Sequence, residues 1–232
     1  VQLEAEHVSL ACDFKPVERL DRRFGLAFGG PEGREIMLAD KRLRGLGHRG
    51  DVERLNDRPD CAAFERRRRA AIEDDDPVLF IENIPGYFAP GPCSFQPVPL
   101  GKAKVAREGS DVTIVAHSLM VTYALGAAAE LEAVGVSVEV VDLRTIAPWD
   151  QETVIASAEK TGRVLIVHEA VKEFGIGAEI GSVISEQLWG KLKGPVKRLG
   201  GAYCAVPYSK PLETAFCPQA ADIVAAVKAM MG

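Results

Sequence analysis

The sequence has no apolar run approaching the roughly 20 residues a membrane helix needs, and no charged-then-apolar leader opens it. It lacks the positive excess that draws proteins onto nucleic acid or anionic lipid, its formal net charge being −5. Neither a membrane nor a nucleic acid is therefore an expected partner. Cysteine is sparse: the five at positions 12, 61, 93, 204 and 217 are odd in number, widely spaced and without metal-ligand spacing. No disulfide framework and no metal site follows, and a reduced, cytoplasmic setting fits best. Lysine is scarce in one region only. Residues 1–70 hold two of the eleven lysines but thirteen of the seventeen arginines. The rest is ordinary globular usage, 47% apolar and 26% charged, in a chain long enough for one large domain or two small ones.

From Val112 onward two periods alternate. "VTIVAHS" (112–118) reads as a buried strand, and Ser118 can cap a helix in which Met120, Tyr123, Ala124, Ala127, Ala128, Leu131 and Val134 share a face, with Gly135 as its stop. "SVEVVDL" (137–143) is the next strand. Asp150 is placed to accept from free N–H groups of a following helix, Glu152 suits its positive end, Val154, Ile155 and Ala158 form its apolar face, and Gly162 ends it. "RVLIVHE" (163–169) and "PVKRL" (195–199) are third and fourth strands. Between them runs a helix bearing Ile180, Val183, Ile184, Leu188 and Leu192, and Ile223, Val224, Val227 and Met230 mark a closing helix. Strand–helix alternation with short connections predicts an α/β fold: a three-layer α/β/α domain over 102–232, with a mainly parallel sheet. Its ligands and partners are expected past the carboxyl ends of the strands.

The front of the chain reads differently. No sustained period runs through residues 1–69, and "ERRRRAAIEDDDP" carries a basic block into an acidic one, read as a solvated helix end followed by a turn at Asp74, Asp75 and Asp76. The switch from lysine to arginine usage suggests a junction near residue 70, such as an out-of-frame reading or a fusion leaves. Reading the coding DNA in its other frames tests this, and finding no apolar-periodic alternative there counts against it. Residues 84–101 belong to a stretch ("NIPGYFAPGPCSFQPVPLG", 83–101) with five prolines and three glycines, an extended linker.

"AAIEDDDPVLFIEN" (70–83), "VPLGKAKVAREGSDVTIVAHSLMV" (98–121), "VEVVDLRTIAPWDQETV" (138–154), "VLIVHEAVKEFGIGAEI" (164–180), "VPYSKPLETAF" (206–216) and "DIVAAV" (222–227) follow one another in family order. Together they resemble the beta subunit of the decarboxylating component of 2-oxo acid dehydrogenase complexes, of pyruvate, acetoin or branched-chain type. The resemblance covers about 70–232. It implies the tail of a pyrimidine-binding domain at 70–83, the linker, and a transketolase-like C-terminal domain. It further implies thiamine diphosphate and magnesium held mainly by other domains or subunits, an alpha-subunit partner in a heterotetramer, self-association, and a dihydrolipoyl acyltransferase core as acceptor. A eukaryotic member would sit in the mitochondrial matrix. In such enzymes a glutamate of the beta subunit's N-terminal domain helps generate the thiazolium ylide, which adds to the 2-oxo acid. Carbon dioxide leaves, and the acyl unit passes to lipoamide. Glu4, Glu6, Glu18, Glu32 and Glu35 are present, but none stands in a matching context, so this chain alone is expected to be inactive. Two further departures are Phe174, where the family usually has a glycine, and "AYCA" (202–205), where an acid is common. A non-catalytic assembly module derived from the same domain is the alternative reading.

The candidate site residues cluster at strand ends. Arg144's planar fork suits a carboxylate or phosphate. An ion pair with Asp142, pinning the loop at Thr145 or an interface, is favoured because the resemblance gives this domain an assembly role. His168 and Glu169 close a strand, and structural hydrogen bonding or subunit contact is expected ahead of a place near a substrate channel. "GIGAEIG" (175–181), containing Gly175, Gly177 and Glu179, has the spacing G-x-G-x-x-x-G and no acid after the next strand at Leu199. Close helix–sheet packing is therefore expected rather than dinucleotide binding. His117 beside Ser118 has no identifiable third group, so a structural histidine and a helix cap are expected there rather than a nucleophile. Tyr208 completes the set as a partner contact.

Overall fold

The structure, a computed structural model, describes residues 36–39, 62–83 and 98–232. Among the described residues three elements precede the C-terminal part. Strand β1 (Ile36–Ala39) pairs antiparallel with β2 (Val78–Ile81), and helix α1 (Ala62–Glu73) lies between them in sequence. Helix α1 runs through residue 70, so the change of composition there is not an element boundary. Its periodicity was hidden because the buried positions among its described side chains are alanines, Ala70 and Ala71, set beside consecutive arginines. The expected turn after it is present: the Asp76 N–H donates to Asp74 Oδ1 at 2.9 Å. Most of residues 1–61, and 84–97 of the linker, lie outside the described residues.

The C-terminal part is built on β3 (Lys104–Arg107), β4 (Val112–Ala116), β5 (Val138–Asp142), β6 (Val164–Val171) and β7 (Lys197–Gly201), in the order β3-β5-β4-β6-β7. β4 to β7 are parallel, and β3 adds an antiparallel edge. β3 was not foreseen, because "KVAR" is short and only partly buried. β7 begins two residues later than expected and takes in Gly200 and Gly201, which read as breakers in sequence. Both are needed in the strand: a Cβ on Gly200 would lie 2.7 Å from His168 Cε1, and one on Gly201 2.6 Å from the Phe216 ring.

Helix α2 (Leu119–Glu132) and α6 (Ala220–Met231) cover one face of the sheet, and α3 (Gln151–Thr161) and α4 (Ile176–Gln187) cover the other. The two-residue period of the strands explains the division. Ile114, Ala116, Val140, Leu165 and Val167 point to α2 and α6, while Val115, Val141, Val164 and Ile166 point to α3 and α4. Each fully buried aliphatic side chain contributes about 1.5–3 kcal/mol, and both faces are needed to keep a parallel sheet dry. Asp150 caps α3 as expected, accepting from the Thr153 N–H at 3.2 Å, and Gly162 ends it in the left-handed conformation. Ser118 does not cap α2 with its side chain; it sits at φ 57 and makes no such bond. Val134 is exposed, beyond the end of α2. A short helix, α5 (Lys210–Phe216), precedes α6.

Candidate functional site

Three apolar runs end at one level of the sheet. β4 pairs Ala116 with Asp142 of β5 and with Val167 of β6. His117, Asp142 and His168 therefore lie side by side along the carboxyl edge. The connection from β4 leaves to one face and those from β5 and β6 to the other, so this is the switch point where such sheets open a crevice. The chain's own upstream helix reaches it. Arg67 Nη2 of α1 donates to Asp142 Oδ2 at 2.8 Å, across an otherwise buried carboxylate. The other carboxylate oxygen, Oδ1, accepts from the Arg144 N–H at 3.2 Å, and the Arg144 guanidinium lies 3.6 Å from Oδ2. These contacts hold Arg144 at φ 59, an uncommon backbone for arginine. Asp142 is thus engaged by two arginines and turns the strand end into the next loop. Thr145 continues that loop, its hydroxyl accepting from the Gly101 N–H at 3.1 Å and so tying the end of the linker down.

His168 lies within β6 rather than at its end, fully buried. Its Nδ1 is 3.0 Å from the Ala170 carbonyl. A carbonyl only accepts, so Nδ1 carries the proton and Nε2, which has no partner among the described residues, is the bare nitrogen. The ring fills a slot made by missing side chains. A Cβ on Gly177 would be 2.6 Å from Nε2, one on Gly175 2.9 Å from Cε1, and one on Gly200 2.7 Å from the same atom. Gly175 and Gly177 of "GIGAEIG" thus make room for a histidine ring. Burial holds His168 below the ordinary histidine range and the Arg198 charge adds to this, against the bond to Ala170. Burial is also the main cause that takes His117 down to about 4, helped by nearby His168 and opposed by Asp142. Both imidazoles are neutral at pH 7, which suits packing and leaves them without a charge to hold an anion.

Glu169 points the other way, its Oε1 accepting from Asn83 Nδ2 at 3.3 Å. Arg67 and Asn83 are functional neighbours that sequence reasoning missed. Arg67 was one among four arginines, and Asn83 stood only as the last letter of a family string. A usable signal for the edge itself was present: "VTIVAH", "VEVVD" and "VLIVH" all end on a titratable residue after an unbroken apolar run. Glu179 is exposed in the first turn of α4, and Tyr208 is exposed in the loop after β7, so neither joins the Asp142–His168 cluster. Among the described residues no group of three histidine, cysteine or acidic side chains stands together as a metal site. Hard cations such as magnesium take several oxygen ligands. Since Asp142 is already engaged by two arginines, the described residues do not fit a magnesium diphosphate.

Comparison with known proteins gives a consistent assignment. The family model of the transketolase C-terminal domain matches residues 101–223, more than half of the chain. Pyruvate dehydrogenase E1 component subunit beta, mitochondrial, of Pisum sativum is 45% identical over 166 residues, 69% of this chain and 46% of that protein. The corresponding subunit beta of Rickettsia conorii is 41% identical over 160 residues, covering 68% and 49%. The beta subunit of acetoin:2,6-dichlorophenolindophenol oxidoreductase of Cupriavidus necator is 40% identical over 163 residues, covering 69% and 48%. The chain spans about half the length of the curated relatives it matches.

Proposed function

The chain belongs to the transketolase C-terminal-domain family, and on that premise we propose that it is a beta-type subunit, or the C-terminal portion of one, of a thiamine-diphosphate-dependent 2-oxo acid dehydrogenase. It supports oxidative decarboxylation of a 2-oxo acid and acyl transfer to lipoamide together with an alpha subunit. The observation that carries this reading is the similarity, above 40% identity, to pyruvate dehydrogenase beta subunits over some 160 residues. The fold supports it through the engagement of Asp142 by Arg67 and Arg144 and of Glu169 by Asn83, contacts that hold one part of the chain against another.

Thiamine diphosphate supplies the carbanion-stabilising chemistry when bound. On this reading it and magnesium rest chiefly on other domains and on the alpha subunit. What this chain's residues do is structural. Asp142, through Arg67 and Arg144, and Glu169, through Asn83, seat the upstream helix and strand on the C-terminal sheet. The tail of the pyrimidine-binding domain then keeps a fixed angle to the partner-facing edge. Self-association and contact with the dihydrolipoyl acyltransferase core belong to the same reading. The compartment is the cytoplasm, or the mitochondrial matrix in a eukaryotic source. No helix among the described residues is long and apolar enough to cross a membrane.

Calorimetry of the chain with thiamine diphosphate and magnesium, with and without an alpha-type subunit, tests the proposal. Uptake that requires both chains is the expected result. Turnover of a 2-oxo acid by the chain alone would refute the dependence on a partner. Association with the alpha subunit but no cofactor uptake would favour a non-catalytic assembly module.

A further inference from the structure

Strand β7 puts an arginine where the packing predicts an aliphatic side chain. The two-residue period of "PVKRL" sends Leu199 to the face covered by α2 and α6 and Val196 to the face covered by α3 and α4, and Arg198 follows Val196. Helix α4 meets it with small side chains. Ala178, Gly181, Ser182 and Ser185 face Val196 and Arg198 across an open-mouthed cavity of about 380 Å³, a volume in the range of small-molecule sites. The stem of Arg198 lies along Gly181, where an added Cβ would be 3.7 Å from Arg198 Cδ and 3.6 Å from Val196 Cγ1. The half-buried guanidinium donates once, from Nη1 to the Lys172 carbonyl at 3.1 Å. That carbonyl belongs to a fixed residue, because the Lys172 N–H donates to the Gly201 carbonyl at 2.9 Å. Among the described residues no carboxylate pairs with Arg198, whereas Arg67, Arg107, Lys160 and Lys191 each have an acidic partner. Most of its five N–H donors are therefore unspent, in a pose set in advance.

We propose that this cavity binds a small carboxylate, its two oxygens on the Arg198 fork and a short apolar body against Ala178 and Val196. The chemistry of the lining selects that class. A guanidinium matches a planar, two-oxygen anion through paired N–H···O bonds. The hydroxyls add one donor at most. Ser185 Oγ already donates to the Gly181 carbonyl at 2.7 Å, while Ser182 Oγ has only an exposed 3.4 Å contact to Glu186. One fork and one hydroxyl satisfy a carboxylate, and a phosphate group, with three strong acceptor oxygens, calls for more donors than these. Bracing Lys172 takes a single N–H of Arg198 and explains neither the cavity nor the small side chains opposite. The site stands on this cavity alone and does not depend on the 2-oxo acid dehydrogenase reading.

Amide NMR of the full chain, titrated with sodium isobutyrate at constant ionic strength, tests this. Isobutyramide serves as the neutral isostere and inorganic phosphate as the competing anion. Saturable shifts around Gly181 and Arg198, with a dissociation constant in the millimolar range, are expected for isobutyrate and not for the amide. Arg198→Gln removes the charged fork and should weaken binding roughly tenfold or more. Gly181→Ala should weaken it for a different reason. Its methyl enters the cavity at 3.6–3.7 Å from Ile166, Val196 and Arg198, ordinary contact distances, so it takes the ligand's space and leaves the fold intact. Its melting temperature should equal or exceed the wild type's, since alanine is the better helix former. That variant keeps the test decisive even where Arg198→Gln fails to fold. Absence of saturable wild-type binding, unchanged binding by either folded variant, or equal binding of the amide overturns the site. Phosphate binding tighter than isobutyrate overturns the carboxylate class. Each of these results leaves cofactor uptake with an alpha subunit untouched, so the functional reading fails or stands separately.

Discussion

Gly177→Ala asks whether the glycines of α4 are there to admit the His168 ring. The new Cβ would lie 2.6 Å from Nε2, 2.8 Å from Cδ2 and 3.2 Å from Ile166 Cγ2. The first two distances are shorter than side chains tolerate, so the ring must move. It has nowhere easy to go, being fully buried, with Gly175 and Gly200 closing on the other ring edge and Nδ1 held by the Ala170 carbonyl. Tilting the ring costs its hydrogen bond, about 1 kcal/mol, and an off-rotamer side chain, about 1 kcal/mol. Shifting α4 away from the sheet brings overpacking costs of about 1–3 kcal/mol. Alanine's better helix propensity returns somewhat under 1 kcal/mol. The expected net loss is about 2–3 kcal/mol, read as a lower urea midpoint with unchanged m-value. A double-mutant cycle makes the reasoning specific. His168→Ala alone leaves a cavity and is destabilising, but Gly177→Ala added to it should cost little, because the clash is gone. If Gly177→Ala costs under about 0.5 kcal/mol, or costs as much without the ring as with it, the packing account of this loop fails.

Two further expectations come from buried charge. His117 titrates near 4 in the fold against an ordinary 6.5, so between those values the unfolded chain binds more protons than the native one. Its contribution is intact above about pH 6.5 and drains away as the pH falls toward 4, reaching about 2 kcal/mol of loss near pH 5. His168 is lowered too and acts in the same direction. His117→Gln should flatten the acid limb of a urea-stability profile by about that amount, and an unchanged limb would show that the imidazole is not desolvated. At the opposite end of the sheet, the fully buried Glu139 carboxylate accepts from Ser157, Lys160 and the Gly109 N–H. Lys160→Met strips the cation from that group. Because Lys160 is 44% exposed, the cost should fall below that of a wholly buried pair, at about 2 kcal/mol. Adding Glu139→Gln should recover part of it in thermal melts, and no recovery would argue against the charge pairing.

The strands β4, β5 and β6, the face each helix presents, and the Asp150 and Gly162 caps were readable because they depend on neighbours within a few residues. Hydrophobic period and cap chemistry are local, and an uninterrupted β-branched run has few other uses. The slot around His168 was not readable. It draws Gly175 and Gly177 from one segment and Gly200 from another, and sequence shows a missing side chain without showing what fills its place. The pairing of Arg67 with Asp142 spans 75 residues, and no local pattern singles out one arginine of four. The exposed Phe174 had a partial signal in standing at a glycine position. That its loop leaves the sheet at the same end as the loop of Tyr203 and Tyr208, however, depends on β6 and β7 being neighbours. Composition and periodicity thus determined most of the strands and helices, and the ordered motifs carried the family resemblance. The parallel register, which sets the ends of distant strands at one level, decided which residues share an edge, because only strand pairing converts separation along the chain into contact.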